Sequence, residues 1–162
     1  MERAQFMELA GRYKDTVFRV ALNTLGSPAD ADDIVQETLI RLLERKDPFE
    51  SEEHAKRWLI RVSVNLSKNV LRSPWRRHAP LEAAETVPAF DHPDEDELYA
   101  QVMALPAKDR TVLYLFYYEG YSVKEIAEIL GIRVSAVTSR LSRARQRLKV
   151  QMSELTEGCC NE

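Results

Sequence analysis

Cysteine is almost missing from this chain. Its two residues, Cys159 and Cys160, are neighbours, and adjacent cysteines cannot build a disulfide framework, so a disulfide-stapled extracellular fold is excluded and a reducing compartment is expected. Glycine is scarce too, five in 162 residues. Val, Ile and Thr are scattered among Leu, Ala, Glu and Arg, a mixture that favours long helices over a sheet. No apolar run is long enough to span a bilayer, and Met1 to Ala10 carries acids and no apolar stretch of signal length. A cytoplasmic protein with no membrane insertion is therefore expected. Also missing are a nucleophile motif, a phosphate loop and paired catalytic carboxylates. His54, His78 and His92 form no ligand cluster, and the cysteines at a polar tail lack the spacing of a zinc site. Neither an enzyme nor a bound cofactor or metal is expected.

What is present is charge, unevenly placed. The net charge is -3, whereas a domain that binds nucleic acid unaided is usually strongly basic. Yet His54 to His78 holds seven basic residues and no acid, and Arg133 to Lys149 holds six and no acid. Between them, Glu82 to Leu98 holds seven acids and no base. Any binding to DNA must then be local or assisted by a partner.

Pro74, Pro80, Pro88 and Pro93 punctuate the acidic stretch, which argues against one continuous helix there. The expectation is an all-α chain of two small helical domains, 1–73 and 94–162, joined by an acidic, proline-containing linker over 74–93.

In the first domain, Glu2 to Leu25 reads as a helix or helix pair burying Phe6, Leu9, Tyr13, Val17, Val20 and Ala21, and breaking near Gly26. Ser27 as cap, Pro28 in the first turn and Asp30 and Asp32 near the positive end of the dipole start a second helix, running to about Arg45. Ala31, Ile34, Val35, Thr38, Leu39, Leu42 and Leu43 follow its buried pattern, leaving Asp33, Gln36, Glu37, Ile40 and Arg41 outside. Ile40 is out of place on a polar face. A third helix, His54 to Arg72, has a buried stripe of Ala55, Trp58, Leu59, Val62, Leu66 and Val70. Beside it Arg57, Arg61, Asn65, Lys68 and Arg72 recur at helical spacing and line one edge, which suits a phosphate backbone.

In the second domain a helix from Ala107 to Glu119 should stop at Gly120. Ser122 and Glu125 then form a capping box, with Tyr121 and Ile126 as its hydrophobic staple, and the short helix ends at Gly131. Ser135 can cap a final helix whose seam is Val137, Leu141, Ala144 and Leu148. That is the pattern of a helix-turn-helix. Thr138, Ser139, Ser142, Arg143 and Gln146 occupy the opposite face, with Arg140, Arg145, Arg147 and Lys149 at its margins. Small polar residues let a recognition helix approach base edges, and arginines read guanine or hold phosphates. Arg140, Arg143, Arg145 and Arg147 have no acid four residues away within the helix, so intrahelical ion pairs do not account for them.

These motifs together resemble the sigma factors of bacterial RNA polymerase. Asp30 to Leu42 (DADDIVQETLIRL) resembles their core-binding motif, and Trp58 to Asn65 (WLIRVSVN) their promoter-melting segment. Leu105-Pro106, Glu119 to Ala127 (EGYSVKEIA) and Val137 to Arg145 (VTSRLSRAR) are similar to the helix-turn-helix of the small extracytoplasmic-function class. The resemblance covers most of the chain, with the motifs in the family's order. It implies that Asp33, Gln36 and Glu37, with Ile40 and Arg41 beside them, meet the clamp helices of the polymerase's largest subunit. It implies that Phe49 and Asn65 build a pocket for a base flipped from the minus-ten element, while Arg57, Arg61, Lys68 and Arg72 hold the separated strand. The linker would thread toward the polymerase active centre. Thr138, Ser139, Ser142 and Arg143 would read the minus-thirty-five element, with Ser135, Arg140, Arg145 and Arg147 completing the DNA-binding set. An inhibitory anti-sigma protein is a further implied partner. The loop Glu50 to Glu53 is acidic for one that faces DNA.

Two rival classes stand beside this reading. A stand-alone dimeric repressor or activator would use the same helix-turn-helix on a palindromic site, but leaves the Asp30 to Leu42 motif unexplained. A metal-responsive or redox enzyme would be built on the terminal cysteines, and metal analysis of the purified protein would exclude it.

Overall fold

The computed structural model describes residues 1–73 and 93–159, so most of the expected linker, with His78 and His92, lies outside the described residues, as does Cys160. Seven helices and no strand occur among the described residues: α1 (Arg3–Leu25), α2 (Pro28–Glu44), α3 (Glu52–Arg72), α4 (Pro93–Met103), α5 (Ala107–Tyr117), α6 (Val123–Leu130) and α7 (Val134–Cys159). The chain divides into two compact units, Met1–Val87 and Pro88–Glu162.

In the first unit, α1 is one unbroken helix, closed by Gly26 in the left-handed conformation at φ 71°, where its N–H reaches the Leu22 carbonyl. Ser27 caps α2 by accepting from the Asp30 N–H, and Pro28 fills a first-turn position whose N–H needs no partner. With so short a connection the two helices must run back along one another. The core agrees: Leu9, Tyr13 and Val17 from early α1 meet Leu42 from late α2, whereas Ala21 and Leu25 meet Ala31 and Ile34. Helix α3 lies against both, with Ala55 and Leu59 in the first cluster and Leu66 in the second, so it runs parallel to α1.

Two details of this core differ from expectation. Leu43 is 52% exposed, because α2 carries only Ala31, Ile34, Thr38 and Leu42 on its fully buried side. On α3 the buried arc is wider and rotated: Ile60, Ser63, Val64 and Ser67 are buried with Ala55, Leu59 and Leu66, while Trp58, Val62 and Val70 are only partly covered. A helix covered by two neighbours buries more than one stripe. The serines enter without penalty because each hydroxyl donates to its own helix, Ser63 to the Ile60 carbonyl (2.9 Å) and Ser67 to the Ser63 carbonyl (2.7 Å).

In the second unit, α4 begins at Pro93, so the end of the acidic stretch is helical. Arg110, buried on α5, donates to the Met103 (3.0 Å) and Leu105 (2.6 Å) carbonyls and so closes the end of α4. Helix α5 stops at Tyr117, short of Glu119, because the Glu119 N–H leaves the i→i−4 ladder and shares the Tyr114 carbonyl with Tyr118, before Gly120 at φ 75°. The Ser122–Glu125 capping box is present on α6, and Tyr121 and Ile126 are both buried as its staple requires. Gly131, left-handed at φ 65°, ends α6. Helix α7 starts at Val134, not after a Ser135 cap: the Arg133 carbonyl accepts from Ala136 and Val137, which leaves Ser135 exposed within the first turn. Val137, Leu141 and Ala144 are buried and Leu148 partly so, and α7 packs on α5 and α6, which bury Val112, Leu115 and Ile126.

Candidate partner and nucleic-acid interfaces

The outer face of α2 exposes Asp33, Gln36, Glu37 and Arg41 together with two large apolar side chains, Ile40 at 51% and Leu43 at 52%. Glu37 and Arg41 pair at 3.3 Å, both half exposed. An exposed pair of this kind adds little stability, so the face is not committed to holding the unit together. Leu43 was missed as an outer residue because its spacing also fits the buried pattern.

On α3, Arg61, Asn65 and Arg72 are exposed, and Arg57 and Lys68 are partly buried. Arg57 donates to Glu53 at 3.1 Å, four residues before it. The acid-free span from His54 hid that partner, which lies one residue outside it. The acidic loop is explained in part by the same turn inward: Glu53 serves Arg57, and Glu52 accepts from the Tyr13 hydroxyl (2.6 Å) and from Arg12. These bonds, Tyr13's first, pull the Glu52 carboxyl below its ordinary value. Burial, then the Glu52 bond, pushes the Tyr13 phenol up to about 12.

Phe49 is half-buried beneath the Arg45 guanidinium (4.5 Å to the ring centre) and edge-on to His54 (5.4 Å) and Trp58 (5.6 Å). Arg45 also covers Trp58, at 5.1 Å. Asn65 follows Trp58 by seven residues, about 10 Å along the axis at 1.5 Å per residue, on nearly the same side of α3. Phe49 therefore joins a cluster with Arg45, His54 and Trp58 at the start of α3, and Asn65 stands exposed two turns beyond Trp58. Arg45, His54 and Trp58 belong to this surface, and the i, i+4 spacing of His54 and Trp58 was the available signal.

On α7, Ser135, Thr138, Ser139, Ser142, Arg143, Arg145 and Arg147 are exposed and Arg140 is partly buried. The Thr138 hydroxyl donates to the Val134 carbonyl (3.1 Å), which leaves its oxygen as an acceptor. Two arginines have partners on α5 that a reading confined to α7 could not find. Arg143 reaches Asp109 at 3.4 Å, and Arg145 donates to the Tyr117 hydroxyl at 2.7 Å while lying over Phe116 and Tyr117. Among the described residues no group of His, Cys, Asp and Glu could hold a metal, and no helix is long and apolar enough to cross a membrane.

Comparison with known proteins follows the same division. Residues 9–77 match the family model for Sigma-70 region 2, and residues 95–148 that for Sigma-70, region 4. The ECF RNA polymerase sigma factor SigW of Bacillus subtilis is 28% identical, over 93% of this chain and 90% of that protein. The ECF RNA polymerase sigma factor SigL of Mycobacterium tuberculosis is 32% identical, over 95% of this chain and 92% of its own length. The fold is that of the sigma factor RpoE from Bartonella quintana, solved in complex with the anti-sigma factor NepR: TM-score 0.77 at 24% identity, over 92% of this chain and 97% of that one. With both regions matched in order and relatives aligned nearly end to end, the chain belongs to the sigma-70 family in its extracytoplasmic-function class, as an RNA polymerase sigma factor that directs promoter-specific transcription initiation.

Proposed function

We propose that three surfaces divide the work of initiation. Residues 1–73 form the domain that binds core polymerase through Asp33, Gln36, Glu37, Ile40 and Arg41 on α2, joined by Leu43. The same domain recognises and melts the minus-ten element through Phe49, Arg57, Arg61, Asn65, Lys68 and Arg72. Residues 74–93 link it to the domain 94–162, whose α7 reads the minus-thirty-five element through Thr138, Ser139, Ser142 and Arg143. Ser135, Arg140, Arg145 and Arg147 hold phosphates there. The chain has no catalysis of its own; bond formation belongs to the polymerase. It works in the cytoplasm, and an anti-sigma protein that masks these surfaces is the natural inhibitor; the sigma factor RpoE, which shares the fold, was solved in complex with the anti-sigma factor NepR.

The observation that carries this reading is the distribution of charge. A protein of net charge -3 concentrates its cations on α3 and α7 and leaves an acidic face with Ile40 and Leu43 exposed on α2. Such a molecule binds DNA productively when a partner holds both domains to it, because the summed charge alone opposes a polyanion. Gln36→Ala combined with Glu37→Lys removes the α2 face without touching its buried side. Co-purification with core polymerase should fall at least tenfold while circular dichroism is unchanged. Undiminished co-purification would place the polymerase contact elsewhere.

A further inference from the structure

Asp109 is the one buried acid of the second unit among the described residues. It sits in the first turn of α5, 1% exposed, where the helix dipole favours a negative charge. Its Oδ1 receives the Arg143 guanidinium from α7 at 3.4 Å, and its Oδ2 is buried with no hydrogen-bond partner. A buried carboxylate is costly unless it is paired, and the partner supplied is an arginine whose side chain is still 48% exposed on the DNA-facing side of α7. The guanidinium has five N–H donors in a planar fork, of which this contact uses one, on Nη2. Enough donors remain for a two-point contact to the O6 and N7 of a guanine.

We infer that Asp109 is a positioning residue for promoter recognition: from the core of the helix-turn-helix domain it pins Arg143 in the rotamer that presents the rest of its guanidinium to one base pair. This rests on the reading of Arg143 as a base reader. An unbraced arginine spreads over many rotamers, and collecting them on binding lowers the preference for the correct base. Asp109 touches no DNA itself, and a search confined to polar residues on α7 cannot find it.

The test is binding of holoenzyme to a promoter library randomised across the upstream element, with wild type, Asp109→Asn, Arg143→Ala, Arg143→Lys and the Asp109→Asn, Arg143→Ala double variant. Thermal unfolding of each full chain is measured alongside. Arg143→Ala should lose roughly 5- to 150-fold of preference at one base pair. Asp109→Asn should lose preference at that same pair, by roughly 3- to 30-fold, the range of rotamer freedom an arginine regains. In the Arg143→Ala background Asp109→Asn should change the preference no further, to within about twofold. Arg143→Lys keeps a cation for Asp109 but lacks the fork, so it should keep the unfolding temperature and lose the preference. If asparagine at the buried position prevents folding, Asp109→Ala, which fits the space and leaves no polar group to satisfy, carries the same comparison.

An Asp109→Asn effect that is equal on every sequence, or that persists in the Arg143→Ala background, would make Asp109 purely structural and overturn the proposal. Tighter binding by Asp109→Asn would show the carboxylate competing with DNA for Arg143 and overturn it as well. Failure of the underlying reading looks different: Arg143→Ala itself would then weaken all sequences alike.

Discussion

The Glu52 carboxylate accepts from both the Tyr13 hydroxyl and Arg12, and so ties the first turn of α3 to α1 at the edge of the acidic loop. A carboxyl whose pKa is lower in the folded chain than in the unfolded one adds stability that is fully present above the ordinary value, 4.5 here, and is lost as the pH falls below it. Tyr13 runs the other way: with its phenol raised from 10.0 to about 12, its contribution is intact below pH 10 and lost as the pH rises through 12. Glu52→Gln keeps the shape and removes the charge. Thermal unfolding from pH 7 down to 3 should show wild type above the variant near neutrality and the two converging below pH 4.5. A constant gap across that range would mean that the carboxylate's charge plays no part in the tie. Nothing in the sequence pointed to this contact, since Arg12 and Glu52 are forty positions apart and neither lies on a periodic stripe.

At the scale of the helices, glycine acts in two opposite ways. Gly11 lies in the middle of α1, where a Cβ would meet nothing within 4 Å, so the residue costs helix stability and returns no packing. Gly11→Ala should stabilise the first unit by about 0.5 to 1 kcal/mol. Gly120 has equal space around it but stands at φ 75° between α5 and the capping box of α6. Gly120→Ala should destabilise the second unit by about 1 to 2 kcal/mol, because a side chain in the left-handed region is strained however much room it has. Urea unfolding followed by circular dichroism separates the two signs, and a stabilising Gly120→Ala would contradict the turn as described. The elements most legible in the sequence were those with local punctuation of this kind. Gly26 with Ser27-Pro28, and Ser122 to Gly131, mark their own ends through backbone chemistry. The errors fell where a neighbouring helix decides. Leu43 fits a buried pattern but has no neighbour to bury it, Ile60 and Val64 are covered because α3 is packed on two sides, and Ser135 lost the cap position to Arg133.

Across the whole molecule, the exposure of the polar faces of α7 and α2 was legible because both are single-helix surfaces written at helical spacing. The partners of Arg143 and Arg145 were not, because they come from α5 and depend on how two helices meet. The same limit applies to Phe49, whose contacts with Arg45, His54 and Trp58 bring together the end of α2, the loop and α3. The division of labour between an α2 face for polymerase and two basic surfaces for DNA is tested most directly by transcription. Purified core polymerase and this protein are incubated with fragmented genomic DNA, and the transcript starts are sequenced. The expected result is a set of starts that appear only when the protein is added and share two upstream elements at a fixed separation, lost with Gln36→Ala, Glu37→Lys. Starts unchanged by the protein, together with a shift of palindromic DNA in the absence of polymerase, would contradict it.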